Sequence, residues 1–166
     1  MAIGDVTAVT AADQVYYVDT GMYDTEEYGA VYLVDAEQPA IVDSGIGTNY
    51  GRILDGLEAV GIDPTALSYI LLTHVHLDHA GGAGHLLERC SNATVLCHDV
   101  GVRHLTDPER LIEGTKDAVE GQWQYYADPK PVPENRISGL SAGDTVHLGR
   151  RTIEVHRTPG HRPPQV

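Results

Sequence analysis

Tyr69-Ile70-Leu71-Leu72-Thr73-His74-Val75-His76-Leu77-Asp78-His79-Ala80-Gly81-Gly82 is the stretch on which the reading of this chain turns. Its first four residues form a continuous apolar run, too short for a helix and read as a buried strand. Side chains two apart on an extended segment point the same way, so His74 and His76 can offer imidazole nitrogens to one metal ion. Asp78 and His79, at the turn that follows, add an oxygen and a nitrogen suited to a neighbouring ion. Nitrogen and carboxylate donors without thiolate suit zinc and tolerate iron or manganese. The plain alternative is a His-rich exposed loop. The buried strand before the motif and the Gly-rich helix start after it argue against that.

Outward from this motif, strands and helices alternate. Val15–Val18 and Ala30–Val34 read as β-branched and aromatic strands around a turn-rich segment, Gly21–Gly29. Ala40-Ile41-Val42 is a short buried strand that closes in the turn Asp43-Ser44-Gly45. Ile53, Leu54, Leu57 and Val60 fall at helical spacing over residues 49–60, and Gly61 ends the run. A helix is expected over Gly82–Arg89, a strand over Thr94–Cys97, and a second helical stretch over about Pro108–Tyr126. Thr145–Leu148 and Thr152–Arg157 read as a hairpin turning at Gly149-Arg150 and running on to Thr158-Pro159-Gly160-His161. This order gives a mixed α/β layered domain with its active residues on loops at the carboxyl ends of strands.

The 166 residues fit one domain. Acidic residues number 24 against 11 basic ones, a formal charge of −13. No Lys/Arg cluster exists to hold a phosphate backbone or an anionic bilayer, so nucleic acid and membrane surfaces are not the expected partners. No apolar run is long enough to span a bilayer and no basic-then-apolar leader opens the chain, so a cytoplasmic setting is expected. Acid spread along the chain with only two Lys, Lys116 and Lys130, resembles a halophile's composition. Phe is absent and Tyr occurs nine times, so Tyr carries the aromatic packing. Cys90 and Cys97 read as small buried apolar residues.

His161 follows the rigid turn Thr158-Pro159-Gly160 and can present a third nitrogen to the first ion. His98 ends a strand, where a satisfied structural role outweighs a pocket-lining one. His85, His104, His147 and His156 read as ordinary surface or helix-face residues. Asp43 either accepts a ring N–H from a ligand His, fixing its tautomer, or merely forms a turn. Trp123, Tyr125 and Tyr126 either cap a metal cleft or pack in the core; their helical setting favours the core.

Thr73–Gly82, Ile41–Gly45, Asp144–Gly149 and Thr158–His161 together resemble, in order, the motifs of the metallo-β-lactamase superfamily. The resemblance runs over about residues 12–161. It implies an α+β fold of the four-layer αββα sandwich type, with His74, His76 and His161 on one zinc and Asp78 and His79 on a second. It also implies metal-dependent hydrolysis, with activated water attacking a thioester, lactone or phosphoester of a small-molecule substrate and Asp78 orienting the nucleophile. Relatives in the superfamily include iron-dependent redox enzymes, so a sulfur dioxygenase or flavodiiron-like activity is the alternative. The superfamily's bridging acidic ligand and final His normally lie beyond the position of His161. Arg162–Val166 offers neither, so the chain is expected to be the N-terminal part of a single such domain. An inactive metal-binding module, an uncovered apolar sheet face, poor stability and completion by a homo-oligomer are the corresponding expectations.

Overall fold

The computed structural model describes residues 2–158. Seven strands form one mixed sheet in sequence order. They are β1 (Val6–Ala8), β2 (Val15–Asp19), β3 (Ala30–Val34), β4 (Ala40–Val42), β5 (Tyr69–Leu71), β6 (Thr94–His98) and β7 (Ile137–Leu140). From β1 to β4 neighbours are antiparallel and joined by loops. From β4 to β7 they are parallel, because each connection there is a helical crossover. The crossovers contain α1 (Tyr50–Ala59), then α2 (Leu77–Ala80) and α3 (Ala83–Leu86), then α4 (Val102–Thr106) and α5 (Glu109–Val119). A separate antiparallel pair, β8 (Thr145–His147) and β9 (Thr152–Glu154), is the expected hairpin, with Gly149 at φ 86° in its turn.

The sheet is buried on two sides by different partners. Val31, Leu33, Ile41, Ile70 and Val95 face the helices and pack in one cluster with Ile53 and Leu57 of α1 and Leu86 of α3. Val34, Ala40, Leu71 and Leu96 face the other way and pack with Val146 and Leu148 of the hairpin. Successive residues of a strand point to opposite faces, so Ile70 and Leu71 belong to different clusters. That two-sided burial is why residues 69–72 read as an unbroken apolar run rather than an alternating one. The described residues thus supply a helical layer, the main sheet and a second, two-stranded sheet.

Several sequence expectations change in detail. Strands β1 and β7 went unread, since Val6-Thr7-Ala8 is short and Ile137-Ser138-Gly139-Leu140 holds Ser and Gly. The expected helix over 108–126 is interrupted. It ends at Val119, where Glu120 takes φ 39°, and a single 3₁₀ turn, Trp123–Tyr125, follows. Helix starts earlier than expected after the His motif: α2 begins at Leu77, so Asp78 and His79 ride on a helical turn. The uncovered apolar face is also narrower than expected, because the hairpin covers its centre. Among the described residues the exposed large apolar side chains are Tyr28, Tyr32 and Val100.

Ile70 sits fully buried in β5, an interior strand of the parallel half. Ile70→Ala leaves a cavity between β5 and the helices, and equilibrium urea unfolding should show a loss of about 2–5 kcal/mol.

Candidate metal centre

Asp43, Thr73 and the His motif come together at the carboxyl ends of β4 and β5. Asp43 is the first residue after β4 and adopts φ 65°, a left-handed conformation that Asp tolerates better than most residues. It is 8% exposed. Its Oδ1 accepts the Thr73 backbone N–H and the Thr73 hydroxyl, both at 2.8 Å. Its Oδ2 accepts Nδ1–H of His79 at 2.8 Å. One carboxylate therefore joins the end of β4, the end of β5 and α2.

These bonds assign the imidazole tautomers. A carboxylate can only accept, so the Thr73 hydroxyl gives its proton to Asp43 and receives Nδ1–H of His74, 3.0 Å away. His74 and His79 both carry a proton on Nδ1, so Nε2 is the nitrogen each ring can offer a metal when it is neutral. The His74 ring centroid lies 4.8 Å from that of His76 and 4.2 Å from that of His79. Asp78 Oδ2 is 3.4 Å from His79 Nε2. Three imidazoles and a carboxylate thus share one small region.

Electrostatics separates the two bonded histidines. Burial, then the neighbouring His79 and His76, push the His74 pKa down to about 4, against weaker pulls from Asp43 and Asp78. For His79, burial also works downward, but the hydrogen bond to Asp43 and the charges of Asp43 and Asp78 outweigh it and hold the pKa above the usual value. At neutral pH His74 is an unprotonated imidazole, the form that binds metal.

Packing holds α2 in place. The Ser44 backbone N–H and side-chain hydroxyl both donate to the His79 carbonyl, at 2.6 and 2.9 Å. Gly82 N–H donates to the Gly45 carbonyl at 3.0 Å. A Cβ on Gly82 would run into the Ser44 carbonyl, so the second Gly of the motif is required by close approach and not by its φ.

An aromatic group flanks this motif. Tyr126, Ile46 and Leu77 form a buried cluster, with Tyr23 and Trp123 packed on it. The Tyr23 and Tyr126 hydroxyls are hydrogen-bonded at 2.9 Å, and Trp123 stacks on Tyr126 at 5.8 Å. Burial, the bond to Tyr23 and the charge of Asp78 all raise the Tyr126 pKa. The reading of Tyr126 as a core residue holds. Its place beside Leu77 also puts it next to the His motif.

The remaining candidates fall into structural roles. His98 Nδ1 accepts the Val100 N–H at 3.2 Å. The His85 ring stacks on Tyr50 at 5.3 Å and bonds the Asp128 carbonyl. His156 pairs with Glu154 at 3.2 Å. Cys90 and Cys97 are buried free thiols, and burial first of all raises their pKa values to about 11 and about 12. His161 lies outside the described residues. Among the described residues no three side chains converge on one ion position. His74 lies as near to His79 as to His76, so the described side chains do not by themselves sort into the two expected ligand sets, and His161, the third donor expected for the first ion, is outside them. The donor chemistry fits a divalent metal: nitrogen lone pairs set by Thr73 and Asp43, a neighbouring carboxylate and no thiolate. Sequence reasoning passed over Thr73, although a hydroxyl at the junction of a strand and its His was the available signal.

Comparison with known proteins identifies the family and the fold. The sequence profile described as the metallo-beta-lactamase superfamily matches residues 24–166. The chain belongs to the metallo-beta-lactamase superfamily. MEM-A1, a subclass B3 metallo-beta-lactamase from a soil metagenome library, superposes with TM-score 0.69 at 24% identity, covering 95% of this chain and 53% of that one. A metallo-beta-lactamase from Cronobacter sakazakii gives TM-score 0.71 at 25% identity, over 97% of this chain and 57% of that one. Among curated proteins, an acyl-coenzyme A thioesterase of Gallus gallus is 28% identical over 161 residues, 89% of this chain and 55% of the relative. Rubredoxin-oxygen oxidoreductase of Megalodesulfovibrio gigas is 28% identical over 127 residues, 76% of this chain and 26% of the relative. The chain therefore spans between about a quarter and about half of the length of these curated relatives. No described helix is long and apolar enough to cross a membrane.

Two measurements test this geometry. In the metal-free protein, NMR titration of the imidazoles should show His74 protonating near pH 4 and His79 above 6.5, with Asp43→Asn bringing His79 down. Protonation at His74 disfavours the fold as pH falls from 6.5 towards 4. The His79 contribution has the opposite sign, being full at low pH and lost as pH rises through its raised pKa. Gly82→Ala should lower stability by about 1–3 kcal/mol in urea unfolding, because the new methyl displaces the Ser44 loop.

Proposed function

We propose that this chain carries the metal-binding half-site of a hydrolase acting on an ester-like bond, with a thioester as the favoured substrate class. The observation that carries the reading is the shared Asp43 carboxylate, which fixes His74 through Thr73 and His79 directly, each by its Nδ1. His74 and His76, joined by His161, would hold one ion, and Asp78 with His79 a second. The chemistry such ions supply is activation of water and polarisation of the substrate carbonyl. Within the chain, Asp78 orients the attacking water and receives its proton. Asp43 and Thr73 keep the imidazoles from turning, and the Tyr126 cluster shields one side of the motif from solvent. The thioesterase relative, which matches 89% of the chain, supports a thioester over the other ester-like bonds.

A second reading has its own support. The rubredoxin-oxygen oxidoreductase and a flavo-diiron protein of Clostridium acetobutylicum are also relatives. The same nitrogen and oxygen donors tolerate iron as well as zinc, so an iron redox site is the competing class.

Metal analysis of the purified protein, paired with an acyl-thioester hydrolysis assay, separates the two. The hydrolase reading expects zinc and a hydrolytic rate that His76→Ala lowers at least about tenfold. Iron together with oxygen consumption would transfer the site to the redox class, and hydrolysis that survives His76→Ala would remove it from this motif.

A further inference from the structure

The loop between β2 and β3 is fixed at its base and strained at its tip. Asp19 is 1% exposed and accepts the backbone N–H of Gly21 at 2.9 Å and of Glu27 at 2.7 Å. The Thr20 hydroxyl donates to the Gly29 carbonyl at 3.1 Å, and Arg52 Nη1 donates to the carbonyls of Thr20 and Gly21. Between these anchors Tyr23, Asp24 and Glu27 take φ of 57°, 55° and 58°. Three non-glycine residues in the left-handed region are unfavourable together and persist only where their surroundings hold them. Tyr23 is held by three rings: Tyr125 edge-on at 5.3 Å, Tyr28 at 5.7 Å and Tyr126 at 6.0 Å.

The Tyr23 hydroxyl has a proton to spare. It lies 2.9 Å from the Tyr126 hydroxyl, and no other hydrogen bond reaches either oxygen among the described residues. Two phenols carry two protons, and the bond between them uses one. Tyr126 is 4% exposed, whereas Tyr23 is half-buried. Donation from the buried ring to the more open one satisfies Tyr126 and leaves the Tyr23 proton without a protein acceptor. Burial first, then the bond to Tyr23, holds the Tyr126 phenol protonated, as that direction of donation requires. The Asp78 charge also acts on Tyr126, and both tyrosines pack with Leu77, the residue between His76 and Asp78. The spare proton therefore lies beside the His motif.

We propose, resting on the hydrolase reading, that the Tyr23 hydroxyl donates a hydrogen bond to the acyl oxygen of the substrate, and that Tyr126 positions it. A carbonyl oxygen gains negative charge as water attacks its carbon. A donor aimed there binds the transition state more tightly than the ground state. The oxygen carries two lone pairs and can take this bond beside a second polarising group. Tyr23 keeps its proton throughout, and no bond within the phenol breaks. The donor is fixed in advance by the loop anchors and by three rings, so little is lost in orienting it when substrate arrives. A compound without an oxygen at that position forfeits the bond, which makes Tyr23 a selector for acyl compounds.

The test uses two non-hydrolysable analogues of S-butyryl-N-acetylcysteamine, titrated calorimetrically into the metal-loaded full chain. The ketone, with CH₂ for sulfur, keeps the acyl oxygen; the thioether, with CH₂ for the carbonyl, lacks it. The parent should bind the ketone at least about tenfold more tightly than the thioether. Tyr23→Phe should weaken the ketone about fivefold, the worth of one hydrogen bond, and leave the thioether within about twofold. Tyr126→Phe, which keeps the Tyr23 donor, should cost the ketone less than Tyr23→Phe does. An equal loss of both analogues in Tyr23→Phe would make the residue structural, and an unchanged ketone affinity would remove it from the site. A larger loss in Tyr126→Phe would pass the role to Tyr126, and a parent that binds neither analogue would also overturn the proposal. Zinc content and thioester hydrolysis of the same sample test the hydrolase reading separately. Hydrolysis with an unchanged ketone affinity in Tyr23→Phe discards Tyr23 alone, whereas iron without hydrolysis discards the reading itself.

Discussion

The Asp43 carboxylate is the constraint on which the rest of the motif depends. A left-handed backbone at a non-glycine residue costs about 1–2 kcal/mol. Four close contacts to Thr73 and His79 offset that cost, and they do so inside a buried setting where a carboxylate needs every partner. Without this node, the ends of β4 and β5 and the first turn of α2 would lack a common anchor. With it, the proton on two separate imidazoles is placed on Nδ1 by one negative charge.

The sheet explains why these residues meet. Strands β4, β5 and β6 are parallel, so their carboxyl ends lie on one edge, where open α/β sheets present their functional groups. Asp43 leaves β4, Thr73 and His74 follow β5, and His98 ends β6. His98 reaches the same edge but turns its ring nitrogen to the Val100 N–H, which makes it part of a turn. Clamping by Ser44 and Gly82 then fixes α2 against this edge, and Tyr126 with Leu77 closes one flank.

Much of this was legible in the sequence, and the limits have physical causes. The β-branched and apolar runs at 15–18, 30–34 and 69–72 read correctly because burial dictates their composition. Ile137–Leu140 hid because a parallel partner supplied by β6 pairs its backbone while Ser138 and Gly139 carry no strand signal. Helix α5 read too long because apolar spacing continues past Val119, whereas the chain breaks at Glu120 through backbone geometry. The pairing of Asp43 with a His was one of two readings open to sequence. Thr73 as the link to His74 was not legible, since the bond joins residues brought together only by the β4–β5 register.

The central claim is that His74 and His76 share one ion while Asp78 and His79 face another. Anomalous diffraction from crystals of the metal-loaded protein, collected on either side of the metal's absorption edge, tests it most directly. The account predicts a peak about 2.1 Å from Nε2 of His74 and against the ring of His76, with a second beside Asp78 and Nε2 of His79. Peaks away from these side chains, or none at full metal loading, would contradict it.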